Sequence, residues 1–152
     1  MDAARTDYFA KLIEHETSLW NALDRYLRTV PESVTLGRFG VLRMIDSGEG
    51  RARVQDVAEE MGITVGAASR LVDRLESDGL VHRSPNSTDR RGSVLELTEA
   101  GTALTETTRQ AFDEGLRTLL GGATTQELIE LTDRLRRLDD VLRTAMKETK
   151  NA

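Results

Sequence analysis

Between Val54 and Leu75 apolar residues recur at intervals of three and four on both sides of a lone glycine. This spacing limits the possible folds more than any other feature of the chain. Val57, Ala58 and Met61 share one face of a short first helix. Gly62 follows directly and can take the left-handed conformation that ends a helix without a Cβ clash. Ile63 is placed to plug the corner. Thr64 is placed to cap a second helix, on which Ala68, Leu71, Val72 and Leu75 face inward. The small Ala58 and Ala68 let the two helices cross closely. The pattern is that of a helix-turn-helix. The remaining face of the second helix carries Val65, Gly66, Ser69, Arg70, Asp73 and Arg74. In such a motif the second helix enters the major groove of DNA, and its N-terminal residues meet base edges. Taken singly, Arg70 and Arg74 also fit a plain solvated surface, so the order of the parts that follow carries the weight.

Gly79 ends the second helix. Leu80-Val-His-Arg83 and Ser93-Val-Leu-Glu-Leu97 read as short strands, with Leu95 and Leu97 on one side. The intervening Ser84-Pro-Asn-Ser-Thr-Asp-Arg-Arg-Gly92 is polar and rich in turn formers. A hairpin directly after a recognition helix is a wing. Arg90 and Arg91 at its tip are suited to a phosphate backbone or to a narrow minor groove, whose negative potential favours arginine. Asp89 is no ligand for DNA. It is suited to positioning Arg91 through a bidentate pair. A solvated loop is the plainer alternative for these residues.

The helix-turn-helix from Val54 to Leu75, the run Leu75-Glu-Ser-Asp-Gly-Leu-Val-His-Arg83, the motif Asp89-Arg90-Arg91-Gly92 and the closing Leu95-Glu-Leu97-Thr98-Glu-Ala-Gly101 stand in an order that resembles the MarR family of winged helix-turn-helix regulators. The family's wing signature of Asp, any residue, Arg falls on Asp89 and Arg91. The resemblance spans roughly residues 8 to 147, with the terminal helices alike in layout more than in identity. It implies a mainly α fold with a small β-wing, arranged as a triangular homodimer held by its first and last helices.

At 152 residues the chain is expected to be a single subunit. Residues 36–98 form the expected winged lobe, and residues 7–30 and 99–147 supply dimerisation helices. No apolar run approaches the roughly 18 residues of a membrane span. The acidic N-terminus does not read as a secretion signal, so a cytoplasmic location is expected. The chain has no cysteine, which removes disulfides, thiolate metal sites and thiol redox sensing. His15 and His82 are its two histidines. They are far apart, with no carboxylates at ligand spacing, so neither a metal nor a cofactor is expected. Asn86-Ser-Thr88 matches a glycosylation acceptor by chance. No phosphate loop, nucleophile elbow or paired-carboxylate motif suggests an enzyme.

The net charge of −5 runs against a nucleic-acid partner, but its distribution does not. Residues 64–92 hold Arg70, Arg74, Arg83, Arg90 and Arg91 against Asp73, Glu76, Asp78 and Asp89. Residues 93–124 hold Arg109 and Arg117 against Glu96, Glu99, Glu106, Asp113 and Glu114. So slight a basic excess predicts site-dependent, salt-sensitive binding.

The remaining elements follow in order. Residues 7 to 29 read as a helix with a wide apolar band that includes Phe9, Ile13, Trp20, Leu23 and Leu27. Val30-Pro31 breaks it. Thr35 is placed to cap a helix over Leu36–Asp46. Arg51-Ala-Arg53 could add a third strand. Thr98 is placed to cap a helix to about Leu120, with a kink or close contact at Gly115. Thr124 or Thr125 caps the last helix. There Leu128, Leu131, Leu135, Leu138, Leu142 and Ala145 form a heptad seam, assigned to a partner helix in preference to packing within the chain.

The leading expectation is a homodimeric, sequence-specific regulator of transcription, most simply a repressor, on a pseudo-palindromic operator in double-stranded DNA. The half-sites would lie about one helical turn apart, roughly 34–36 Å. Thr64, Val65, Ser69, Arg70 and Arg74 would meet the major groove, where Val65 suits a thymine methyl. Asp89, Arg90 and Arg91 would form the wing contact. The resemblance implies release by a small aromatic or phenolic effector near the dimer helices, for which His15, Trp20, Arg38 and Arg43 are candidates. The alternatives are a winged-helix module that binds protein, favoured by the acidic charge, and a regulator or activator that needs no effector.

Overall fold

The computed structural model describes residues 2–48, 50–85 and 93–150. The elements are α1 (Ala3–Leu27), α2 (Leu36–Ser47), α3 (Val54–Met61), α4 (Val65–Ser77), β1 (Val81–Pro85), β2 (Ser93–Leu97), α5 (Glu99–Leu119) and α6 (Thr125–Lys150). They make a mainly α fold with a small β-wing. The chain divides into two compact units, residues 1–116 and 117–152. Among the described residues no helix is long and apolar enough to cross a membrane.

The first unit has two apolar clusters. One joins α2, α3, α4 and the hairpin through Val41, Leu42, Ile45, Val57, Val72, Leu75 and Leu95. Each fully buried aliphatic side chain of this kind contributes about 1.5–3 kcal/mol. The other joins α1, α2 and α5 through Leu23, Leu27, Leu36, Phe39 and Ala111. Within it the Phe39 and Phe112 rings lie 5.3 Å apart in a tilted contact. Thr108 links a connecting loop to α5: its hydroxyl accepts from Val34 N at 3.3 Å and donates to the Leu104 carbonyl at 2.8 Å.

Several local expectations are corrected. The first helix begins at Ala3, because the Asp2 carboxylate accepts from Ala4 N at 3.1 Å. Thr35 occupies the cap position of α2 but makes no side-chain cap bond. Asp24, on α1, does that work by accepting from Leu36 N at 2.8 Å. This bond, with Arg28 beside it and against the cost of burial, holds the Asp24 carboxyl below its ordinary value. Arg51-Ala-Arg53 is not a third strand, and the sheet is a β1–β2 pair. Ala52 still meets it once, its carbonyl accepting from Leu95 N at 2.7 Å. Ile63 does not plug the corner and is 37% exposed.

Gly101 and Gly115 are needed for close approach between elements. A Cβ on Gly101 would lie 2.0 Å from the Leu80 carbonyl oxygen, and one on Gly115 would lie 2.8 Å from Leu23 and Tyr26. The close contact expected at Gly115 is thus present, between α5 and α1.

In the second unit α6 starts with a reciprocal cap. The Thr124 hydroxyl accepts from Glu127 N at 3.2 Å, and the Glu127 carboxylate accepts from Thr124 N at 2.8 Å. Leu131, Leu138 and Leu142 of the heptad seam are exposed, as are Val141 and Met146.

Gly101→Ala should lower the unfolding free energy by about 2–3 kcal/mol, because backbone cannot yield as a side chain does. Gly40→Ala, in a helix with nothing within 4 Å of the new methyl, should raise it by about 1 kcal/mol. Urea unfolding of both variants checks the pair; equal stability would contradict the tight junction.

Candidate nucleic-acid interface

The turn between α3 and α4 sets the exposed helix. Arg53 N donates to the Asp56 carboxylate at 2.7 Å, which secures the start of α3. Gly62 ends that helix at φ 62°, and Ile63 N donates to the Ala58 carbonyl at 3.0 Å. Thr64 then caps α4, its hydroxyl accepting from Ala67 N at 3.2 Å. Ala68, Val72 and Leu75 are fully buried and fix the rotation of α4 about its axis. The opposite face is therefore presented outward. Val65 is 54% exposed, Thr64, Arg70 and Arg74 are exposed, and Ser69 is half-buried.

The hairpin is antiparallel, with Val81 opposite Leu97 and Pro85 opposite Ser93. It is tied to the end of α4 at Leu80. Thr98 N donates to the Leu80 carbonyl at 3.1 Å. The Thr98 hydroxyl donates to the Gly79 carbonyl at 2.6 Å and accepts from Gly101 N at 3.0 Å. Thr98 thus caps α5 as expected and also closes the junction. The wing residues Asp89, Arg90 and Arg91 lie outside the described residues.

One ion-pair cluster was not anticipated. Arg83 of β1 reaches back to α4, with Nη2 2.5 Å from the Asp73 carboxylate and Nη1 paired with Glu76. Chiefly through the hydrogen bond to Asp73, and against desolvation, the guanidinium is pushed further above its ordinary range. The sequence signal was the i, i+3 pair of acids at the edge of α4 and an arginine seven residues beyond Glu76. On the other face of the hairpin the Ser84 hydroxyl donates to Glu96 at 2.5 Å, and His82 Nε2 lies 3.0 Å from the same carboxylate. These partners, Ser84 foremost, hold the Glu96 carboxyl below its usual range.

The effector candidates separate. Trp20 and Arg43 line one cavity of about 300 Å³, whose walls include Leu23, Leu36, Phe39, Phe112 and Leu116. Arg38 lines another, of about 480 Å³, beside Met61, Leu71 and Arg74, and it is paired with Asp78. His15 is exposed and lines neither. Among the described residues no cluster of His, Cys, Asp and Glu is arranged to hold a metal ion.

The model of the MarR family matches residues 33–92. The multiple antibiotic resistance protein MarR of Escherichia coli (strain K12) is 33% identical over 94 residues, which cover 62% of this chain and 63% of that protein. The putative transcriptional regulatory protein for the hcr operon of Thauera aromatica is 31% identical over 123 residues, covering 78% of this chain and 74% of that one. The chain spans less than two thirds of the first curated relatives it matches, 35% of YfiV of Bacillus subtilis and 63% of the E. coli protein. Among solved structures, a mutant MarR from E. coli complexed with operator DNA is similar at a TM-score of 0.76 and 26% identity, over 91% of this chain and 99% of that one. Likeness in sequence and likeness in backbone agree, and the chain belongs to the MarR family.

Proposed function

We propose that the chain is a sequence-specific, DNA-binding regulator of transcription that acts as a homodimer in the cytoplasm, most simply as a repressor. The observation that carries this reading is the outward face of α4. Val65, Ser69, Arg70 and Arg74 stand on a helix whose rotation is fixed by Ala68, Val72 and Leu75. That helix entering the major groove puts Val65 near base edges and the two arginines within reach of guanine or phosphate. Arg91, positioned by Asp89, supplies a minor-groove contact and Arg90 a phosphate contact. The E. coli MarR mutant whose backbone this chain resembles is complexed with operator DNA, which supports the same partner here.

The dimer is held by two exposed apolar surfaces, Phe9 and Ile13 on α1 and the Leu131–Leu138–Leu142 seam on α6. Exposed apolar area of this extent marks an interface. A small aromatic anion is the effector, seated against Trp20 with Arg43 as its counter-charge. Arg38, bound to Asp78, and His15, outside both cavities, are set aside from that pocket.

Arg70→Ala and Arg91→Ala should each weaken binding to an operator duplex by about tenfold or more and make its salt dependence shallower by about one unit of slope. Arg109→Ala on α5 should leave binding unchanged. Fluorescence anisotropy at two salt concentrations checks this, and full affinity in both test variants would remove the reading-head assignment. Leu135→Asp combined with Leu138→Asp should give monomers in analytical ultracentrifugation. A dimer that survives both changes would show that the α6 seam is not the interface.

A further inference from the structure

Arg83 lies on the hairpin, away from the helix that would read bases, yet it contacts two carboxylates of that helix. Its side chain is 27% exposed, against 56% for Asp73 and 38% for Glu76. Asp73 is the consequential partner. It stands three residues after Arg70, so the two share a face of α4 and would pair across one turn if Asp73 were released. Glu76 is two residues from Arg74 and six from Arg70, neither of which is a facing interval. As the molecule stands, Arg70 and Arg74 have no ion pair with any described residue.

The geometry points to Arg83 as a positioning residue for DNA recognition: by holding Asp73 it keeps Arg70 unpaired and free to meet DNA. The inference rests on the DNA-binding reading and adds a role for a residue that touches no nucleic acid. Arg suits the task because its planar fork engages two carboxylates at once, as a lysine point charge cannot. Without Arg83, Asp73 would neutralise Arg70 and set a negative charge against the phosphates.

The test uses the full chain and a labelled duplex that the wild-type chain enriches from a random-sequence library. Arg83→Ala should bind about tenfold more weakly, with a salt slope shallower by about one. Asp73→Asn should bind no more weakly than wild type. The double variant Arg83→Ala with Asp73→Asn should recover to within about threefold of wild type, a coupling that only contacting residues show. If the alanine variant fails to fold in a thermal melt, Arg83→Lys takes its place, and its loss must likewise be reversed by Asp73→Asn. A double variant as weak as Arg83→Ala would mean that Arg83 itself touches phosphate or braces the wing, and would overturn the proposal. So would a loss in Asp73→Asn alone, or full affinity in Arg83→Ala. Failure of the wild-type chain to enrich any duplex would overturn the DNA-binding reading and this inference together; loss of the coupling alone leaves that reading standing.

Discussion

The junction at Leu80 governs the arrangement of the winged lobe. There the last turn of α4, the first residue before β1 and the first turn of α5 meet within hydrogen-bonding distance. Leu80 N donates to the Leu75 carbonyl at 2.9 Å while the Leu80 carbonyl accepts from Thr98 N at 3.1 Å. The Gly101 backbone packs against that same carbonyl, with no room for a Cβ. Helix, hairpin and following helix are therefore coupled through backbone, which deforms less readily than side-chain contacts. A helix and the paired strands of a hairpin held in this way are ordered before any partner arrives, and less conformational entropy is lost on binding.

Charge placement completes the geometry. The chain carries −5 overall, yet the acids nearest the reading face are occupied: Asp73 and Glu76 by Arg83, and Asp78 by Arg38. Exposed pairs of this kind add little to stability. Their consequence is to leave Arg70 and Arg74 as the uncompensated charges of α4. Net charge is thus a poor guide to the partner of this protein, because what a partner meets is the local field.

The parts of the fold written in local periodicity were legible in the sequence. The two helices of the motif, the left-handed turn at Gly62 and the two short strands all follow from residues a few positions apart. The features that escaped depend on distant residues. Asp24 caps a helix that begins twelve positions later, and nothing near Thr35 signals the substitution. Arg83 finds Asp73 and Glu76 only after the hairpin folds back on α4. Ile63 reads as a corner plug because it is apolar, but it is exposed, and the buried residues of α3 and α4 are Val57, Ala58, Ala68, Val72 and Leu75. The effector candidates were grouped by element, but Trp20 and Arg43 line one cavity, Arg38 another and His15 neither, because α2 presents Arg38 and Arg43 to different neighbours. The wing arginines Arg90 and Arg91 lie outside the described residues.

The central claim is that two copies of this reading head select one DNA sequence. It is tested most directly by titrating the wild-type chain onto a duplex from upstream of its own gene, and onto a scrambled duplex of the same composition, by fluorescence anisotropy at two salt concentrations. The account predicts tight, preferential binding of two chains per duplex that weakens steeply with salt. Equal and weak binding to both duplexes, insensitive to salt, would contradict it.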